Sequence, residues 1–149
     1  MKRVALAIFS IGVLLLSTGC STDDSASNPA ELQETYANDD ASKNKLRSLL
    51  SGKTWYCVYD NVKGTVLPYA FNADITLINE GTEAQASVEL EGNRLSYLDP
   101  NTPAGNFTQF EKRYSTYLQT HVIYADGVAR EEVRFFKTES AARAWADSL

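Results

Sequence analysis

The stretch Ala84-Gln85-Ala86-Ser87-Val88-Glu89-Leu90-Glu91-Gly92-Asn93-Arg94-Leu95-Ser96-Tyr97 is the part of the chain from which the rest can be read. From Ala84 to Leu90 every second residue is apolar and the residues between are polar, the period of a half-buried strand. Gly92-Asn93 then supplies a two-residue hairpin turn. That turn sets Glu91 opposite Arg94, Leu90 opposite Leu95 and Val88 opposite Tyr97. The result is an antiparallel pair with one apolar face and one solvated face.

The same reasoning extends in both directions. Upstream, Glu80-Gly81 read as a turn places Leu77 opposite Ala84 and Ile75 opposite Ala86. The inner face then collects Ile75, Leu77, Ala84, Ala86, Val88, Leu90, Leu95 and Tyr97. Gln85, Ser87, Glu89, Glu91 and Arg94 occupy the other face. Downstream, Asp126-Gly127 is a second strong turn signal. It sets Tyr124 opposite Ala129, His121 opposite Glu132, Gln119 opposite Arg134 and Leu118 opposite Phe135. Leu118, Val122, Tyr124, Val133 and Phe135 share an apolar face that Glu131 interrupts. Tyr117, Gln119, His121, Ile123, Arg130, Glu132, Arg134 and Phe136 share the other.

Eight short strands are predicted in all: Thr54–Asp60, Thr65–Phe71, Asp74–Ile78, Glu83–Leu90, Arg94–Leu98, Phe107–Tyr114, Tyr117–Tyr124 and Ala129–Lys137. Short strands separated by turn residues mark an antiparallel sheet or barrel. Leu46, Leu49 and Leu50 recur at helical spacing ahead of Gly52, a fitting C-terminal stop. A second helix is predicted over Glu139–Ser148, with Thr138 as its N-cap and Ala141, Ala142 and Trp145 as its apolar stripe. The fold class is therefore mainly β, a β-rich α+β arrangement. An antiparallel meander forms a small barrel or a strongly curved sheet, with a short N-terminal helix and a C-terminal helix packed on it.

Charge divides unevenly along the 149 residues. The total is −5, with 14 Lys and Arg against 19 Asp and Glu. Residues 1–20 carry +2, residues 21–41 carry −6, and residues 42–149 carry −1. A protein of this balance lacks the basic surface that phosphate neutralisation demands, which excludes a nucleic-acid partner. The acidic segment, rich in Ser, Thr, Asp and Asn, cannot bury enough apolar surface to offset its ordering entropy. Three parts are expected: an export signal at 1–19, a lipidated Cys with an acidic disordered tether at 20–41, and an antiparallel β domain at 42–149.

The first part rests on its N-terminal residues. Lys2 and Arg3 precede a 13-residue apolar run, Val4 to Leu16, broken only by Ser10 and Gly12. As a helix it would reach roughly 20 Å, short of the ~30 Å hydrocarbon core, which is the size of a signal-peptide apolar region. Leu16-Ser17-Thr18-Gly19-Cys20 resembles the bacterial lipobox, departing from it at Ser17 where Leu is the commonest residue. The resemblance implies cleavage before Cys20, acylation of its thiol and amino group, and a membrane partner held through those chains. Several acyl chains together make such attachment effectively permanent. With Ser21 rather than Asp after the cysteine, and a Gram-negative host assumed, it implies the outer membrane, with the domain facing the periplasm.

Little in the remaining sequence carries chemistry. His121 with Glu132 is the one pair resembling a proton-switch or catalytic dyad, because a carboxylate fixes an imidazole's tautomer. No G-x-S-x-G or H-E-x-x-H accompanies it, so the pair reads as a cross-strand polar contact. An enzymatic reading centred on these two residues predicts a concave site around them. One His and one non-lipidated Cys cannot build a typical zinc site, and no cofactor is implied. Cys57 alternates with Trp55 and Tyr59 and reads as a buried apolar position. Fourteen of the 108 domain residues are aromatic, mostly on strands. Amid them Ala84 and Ala86 are small inward residues, so something must fill the space they leave. That filler is either Trp145 or a small apolar ligand in a cavity lined by Ala84, Ala86, Tyr97 and Tyr124. The Asp99–Asn106 loop, with Pro100 and Pro103, would flank its opening.

Gly52-Lys53-Thr54-Trp55-Tyr56 is similar to the Gly-x-x-Trp-Tyr segment that opens the first strand of lipocalin-like proteins. The eight-strand meander and the helix after the last strand resemble that superfamily too. The resemblance implies a small up-and-down barrel holding an apolar ligand, with Trp55 packed at the closed end. Pro68, inside a strand, argues for an edge or bulge there and against closure. The leading expectation is a non-enzymatic, lipid-anchored periplasmic β domain that binds a small apolar molecule or contacts an envelope protein. The alternative is an envelope assembly or inhibitor module acting by protein–protein contact through an open sheet. In that case Trp145 fills the space over Ala84 and Ala86.

Overall fold

The computed structural model describes residues 30–81, 84–98, 100 and 103–149. The export segment, Cys20, and Asp99 lie outside the described residues. Nine strands and two helices follow one another: β1 (Leu32–Thr35), α1 (Asp40–Leu50), β2 (Thr54–Tyr59), β3 (Leu67–Phe71), β4 (Leu77–Glu80), β5 (Ala84–Glu91), β6 (Arg94–Tyr97), β7 (Phe107–Tyr114), β8 (Tyr117–Ile123), β9 (Ala129–Phe136) and α2 (Glu139–Ser148). From β2 to β9 each strand pairs antiparallel with the next, and β9 pairs back onto β2. An eight-stranded up-and-down barrel results, lipocalin-like in general shape. It is closed, so the open sheet of the alternative expectation does not form.

Closure tolerates Pro68 for a local reason. The Pro68 carbonyl accepts from the Gly81 N–H at 2.9 Å, so this edge of the residue faces the turn just past the end of β4. The missing N–H therefore falls at the very end of the β3–β4 ladder, where only the terminal bond back to Gly81 is lost.

The hairpin that opened the sequence reading forms with the expected register, Val88 to Tyr97, Leu90 to Leu95 and Glu91 to Arg94. Gly92 alone takes a positive φ, +56°, as a turn with glycine at its first central position requires. The next hairpin upstream differs. Glu80 pairs with Ala84 and Ile78 with Ala86, so three residues separate the paired ends and the register moves by three. An odd shift exchanges the two faces. Ile78 is fully buried inside, Leu77 faces outward, and Glu80 joins the inner face. Ile75, predicted on a strand, sits instead in the Asn72–Thr76 turn at φ +55°, its side chain buried. Asn72 holds that turn by accepting from the Thr76 and Leu77 N–H groups at 2.9 and 3.1 Å.

The domain also begins earlier than the predicted boundary at residue 42. β1 pairs with the second half of β7 (Glu34 with Arg113, Thr35 with Lys112), and Tyr36 is buried in the core. β7 has eight residues and β6 only four, so β6 leaves half of that edge bare. β1 covers it, satisfying backbone groups that would otherwise be exposed. Asp39 then caps α1 by accepting from the Ser42 N–H at 2.7 Å. Residues 32–41 are thus ordered by partners far along the chain, which composition could not reveal.

Glu34 on β1 forms an ion pair with Lys45 on α1 at 2.5 Å. The hydrogen bond from Lys45 holds the Glu34 carboxyl below its ordinary value. A depressed carboxyl contributes stability above its unfolded value, and that stability is lost as pH falls through the folded one. Acidification below about pH 4.5 is therefore expected to loosen β1 modestly, within the ~0.2–1 kcal/mol of exposed pairs. Hydrogen exchange at the Tyr36 N–H, which donates to the Glu111 carbonyl, should accelerate a few-fold after correction for intrinsic rate. Lys45→Met should remove the pH dependence; its persistence would assign the effect elsewhere.

The two helices do different jobs. α1 crosses one end of the barrel, and Leu46 and Leu50 are fully buried with Trp55, Phe71, Ile75, Leu90, Leu95 and Phe110. α2 lies on the outer wall, where Ala142 and Ala146 pack on Val58 and Phe136. No helix among the described residues is long and apolar enough to cross a membrane.

Candidate functional site

A cavity of about 390 Å³ occupies the barrel end opposite α1. Its position follows from the alternation along the strands. At the α1 end the inward positions carry Leu, Phe and Trp and fill the bore. At the other end β5 contributes Ala84 and Ala86, which leave space that no described residue fills. Tyr97 and Tyr124 line the same space, so all four residues singled out from sequence line one cavity. At ~30 Å³ per water it has room for about a dozen. Its size is at the small end of the roughly 300–1,000 Å³ typical of ligand pockets.

Residues not singled out complete the lining. Tyr59 on β2 and Tyr69 on β3 face inward, their hydroxyls 3.3 Å apart. Burial pushes the Tyr69 and Tyr97 hydroxyls well above the ordinary phenol value and raises Tyr59 as well, so all three stay neutral. Glu80 and Glu131 also line the cavity. Glu131, which had no explanation on an apolar strand face, is an inward carboxylate near the mouth of the barrel. Asn106 lines the cavity from the loop before β7. Its side-chain oxygen accepts from the Ala125 N–H at 3.0 Å, tying that loop to the β8–β9 turn.

Trp145 does not fill the space over Ala84 and Ala86. It sits outside the barrel, its ring 6.3 Å from Tyr117 and 6.4 Å from Phe136. Its indole N–H donates to Asp60 at 3.1 Å, and the Arg134 guanidinium lies 4.0 Å over its ring. Arg134 also donates to Asp60 at 3.0 Å, Glu132 at 2.7 Å and Tyr117 at 3.1 Å. One guanidinium thus fastens α2 to the wall formed by β2, β8 and β9.

His121 pairs with Glu132 in register, as read from the Asp126-Gly127 turn. Nearer that turn, a bulge between Val122 and Ile123 sets Ile123, not Tyr124, opposite Ala129. His121 Nε2 lies 3.9 Å from Glu132, while Nδ1 lies 3.1 Å from Glu111. The pair is on the outer face, since the neighbouring Thr120 is the one buried inside. Glu132 is already held by Arg134 and by Gln119, which donates to it at 3.0 Å. Among the described residues the imidazole's ion-pair partners are Glu111 and Glu132, and neither His121 nor Glu132 lines the cavity.

Cys57 is fully buried and free, and burial raises its thiol well above the ordinary value. A thiol so held is a packing element rather than a nucleophile. Among the described residues no group of three or more His, Cys, Asp or Glu is placed to hold a metal ion. Comparison with protein-family models, curated proteins and solved structures finds no match to this chain.

Proposed function

We propose that this chain is an exported lipoprotein, anchored by acyl chains on Cys20 to the outer membrane of a Gram-negative cell. Its periplasmic barrel is a non-enzymatic binding module for one small, largely apolar molecule. The observation that carries the binding half is the cavity of about 390 Å³ with Ala84 and Ala86 at its wall and tyrosine rings around it. The buried cluster around Leu46, Leu50 and Phe110 holds the α1 end of the barrel, so the hollow opposite end is available to a guest. The Leu16-Ser17-Thr18-Gly19-Cys20 motif carries the anchoring half. The His121–Glu132 pair takes a structural role on the outer wall in this reading.

The binding half is tested by native mass spectrometry of the protein purified from its host envelope. A small molecule is expected to co-purify and to leave on denaturation; consistently empty protein overturns the reading. Separately, Cys20→Ser should move the protein from the membrane fraction to the soluble fraction. Continued membrane attachment would sink the anchor.

A further inference from the structure

We propose that the guest of this barrel is an organic cation, its ammonium group set between Glu80 and Glu131 and its apolar body against the tyrosine rings. The inference rests on the cavity being a ligand site, as argued above, and adds the chemical class of the ligand.

Two carboxylates on an inner wall are expensive in a binder of neutral molecules. A neutral apolar guest would strip water from both and return nothing. Several acids on the outer surface of the fold have cationic partners: Glu34 with Lys45, Asp60 and Glu132 with Arg134, Asp126 with Arg130, and Glu139 with Arg143. The other described acids without one face water rather than this cavity. Glu80 and Glu131 make no ion pair among the described residues, and no Lys, Arg or His among them lines the cavity. Two arginines that touch aromatic rings of the lining are engaged outside it. Arg130 pairs with Asp126 and lies over the Tyr124 ring, and Arg94 lies over the Phe107 ring.

The remaining lining suits the same guest. Glu80, Glu131, Tyr59, Tyr69 and Tyr97 all line the one cavity, so the acids and the phenols converge on one volume. Neutral phenol oxygens accept hydrogen bonds from an ammonium group, and the faces of aromatic rings attract it. Walls of low dielectric lined by one sign of charge concentrate the opposite charge. A cation with a flat or branched apolar body satisfies every group; an anion is opposed by both acids.

The test uses three probes of matched shape with the purified full-length protein: tryptamine, neutral 3-propylindole and anionic indole-3-propionate, titrated by calorimetry. Tryptamine is expected to bind about tenfold or more tighter than 3-propylindole, with indole-3-propionate weakest. Glu80→Gln and Glu131→Gln should each weaken tryptamine by about tenfold, while 3-propylindole, relieved of one desolvation cost, binds no more weakly than to the parent. A native far-UV circular dichroism spectrum shows that the variants fold. Equal binding of tryptamine and 3-propylindole, insensitive to both substitutions, overturns the charge assignment and leaves the cavity reading intact. Preference for the anion overturns the charge assignment as well. No binding of any probe, with the host-purified protein also empty, overturns both.

Discussion

Phe135→Ala is expected to lower the unfolding free energy by about 3–5 kcal/mol, the cost of deleting a buried aromatic ring. Such a loss is a large part of the ~5–15 kcal/mol that holds a domain of this size. Phe135 is almost wholly buried on β9, between Tyr69 and Phe110. Its ring meets Tyr69 edge-on at 5.8 Å and Phe110 at 5.5 Å. Tyr69 belongs to the cavity wall, whereas Phe110 belongs to the packed half. Phe135 is therefore a floor between the two. Its removal should also deepen the cavity, so bulkier guests should gain relative to smaller ones. Phe135→Leu keeps most of the volume and should cost under about 2 kcal/mol. Urea denaturation measures both; equal losses in the two variants would refute the floor role.

Gly92→Ala is expected to cost about 2–4 kcal/mol, although it adds one carbon. A Cβ built there would lie 2.0 Å from Asn38 Oδ1 and 3.0 Å from the Asn38 backbone, in a turn at φ +56°. Asn38 cannot retreat freely, because Tyr36 before it is buried and Asp39 after it caps α1. The next residue, Asn93, is pinned as well, its side chain donating to the Phe110 carbonyl at 2.7 Å. Gly127 provides the control. It has φ +79° with nothing within 4 Å of a new Cβ, so Gly127→Ala should cost only the backbone term, about 1–2 kcal/mol. The difference between the two midpoints isolates the contact with Asn38. Equal shifts would show that the turn geometry alone makes Gly92 necessary.

The parts of the fold that could be read from sequence are those where a local turn dictates a long-range pairing. Gly92-Asn93 set its hairpin, and most of the register across β8 and β9 followed from Asp126-Gly127. Where turn length was ambiguous, one register slipped: three residues between Glu80 and Ala84 rather than two exchanged Ile78 for Leu77 on the inner face. β1 was invisible because its reason for existing is an edge of β7 some eighty residues away. The small wall residues Ala84 and Ala86 were legible as a gap in an otherwise bulky face. Glu131 was not, since an acid on an apolar strand face reads as a flaw in the register until a cavity is seen in front of it, and Glu80 was hidden because it reads as a turn residue until the longer turn puts it on the inner face. Tyr59 and Tyr69 were equally hidden, because an inward tyrosine looks like core whether it packs solidly or borders a void.

The β1–β7 pairing also sets a direction. Leu32 lies beside Tyr114, and the Glu31 carbonyl accepts from the Ser115 N–H at 2.9 Å, so the chain enters the fold at the end that α1 plugs. With Cys20 as the proposed anchor, the eleven steps to Glu31 reach at most about 40 Å when fully extended. On the proposed anchoring, a leash leaving from the plugged base of the cup would let the base sit nearest the bilayer and the mouth open on the far side. A guest would then be collected from the aqueous space beyond the membrane, not drawn out of the lipid beneath it.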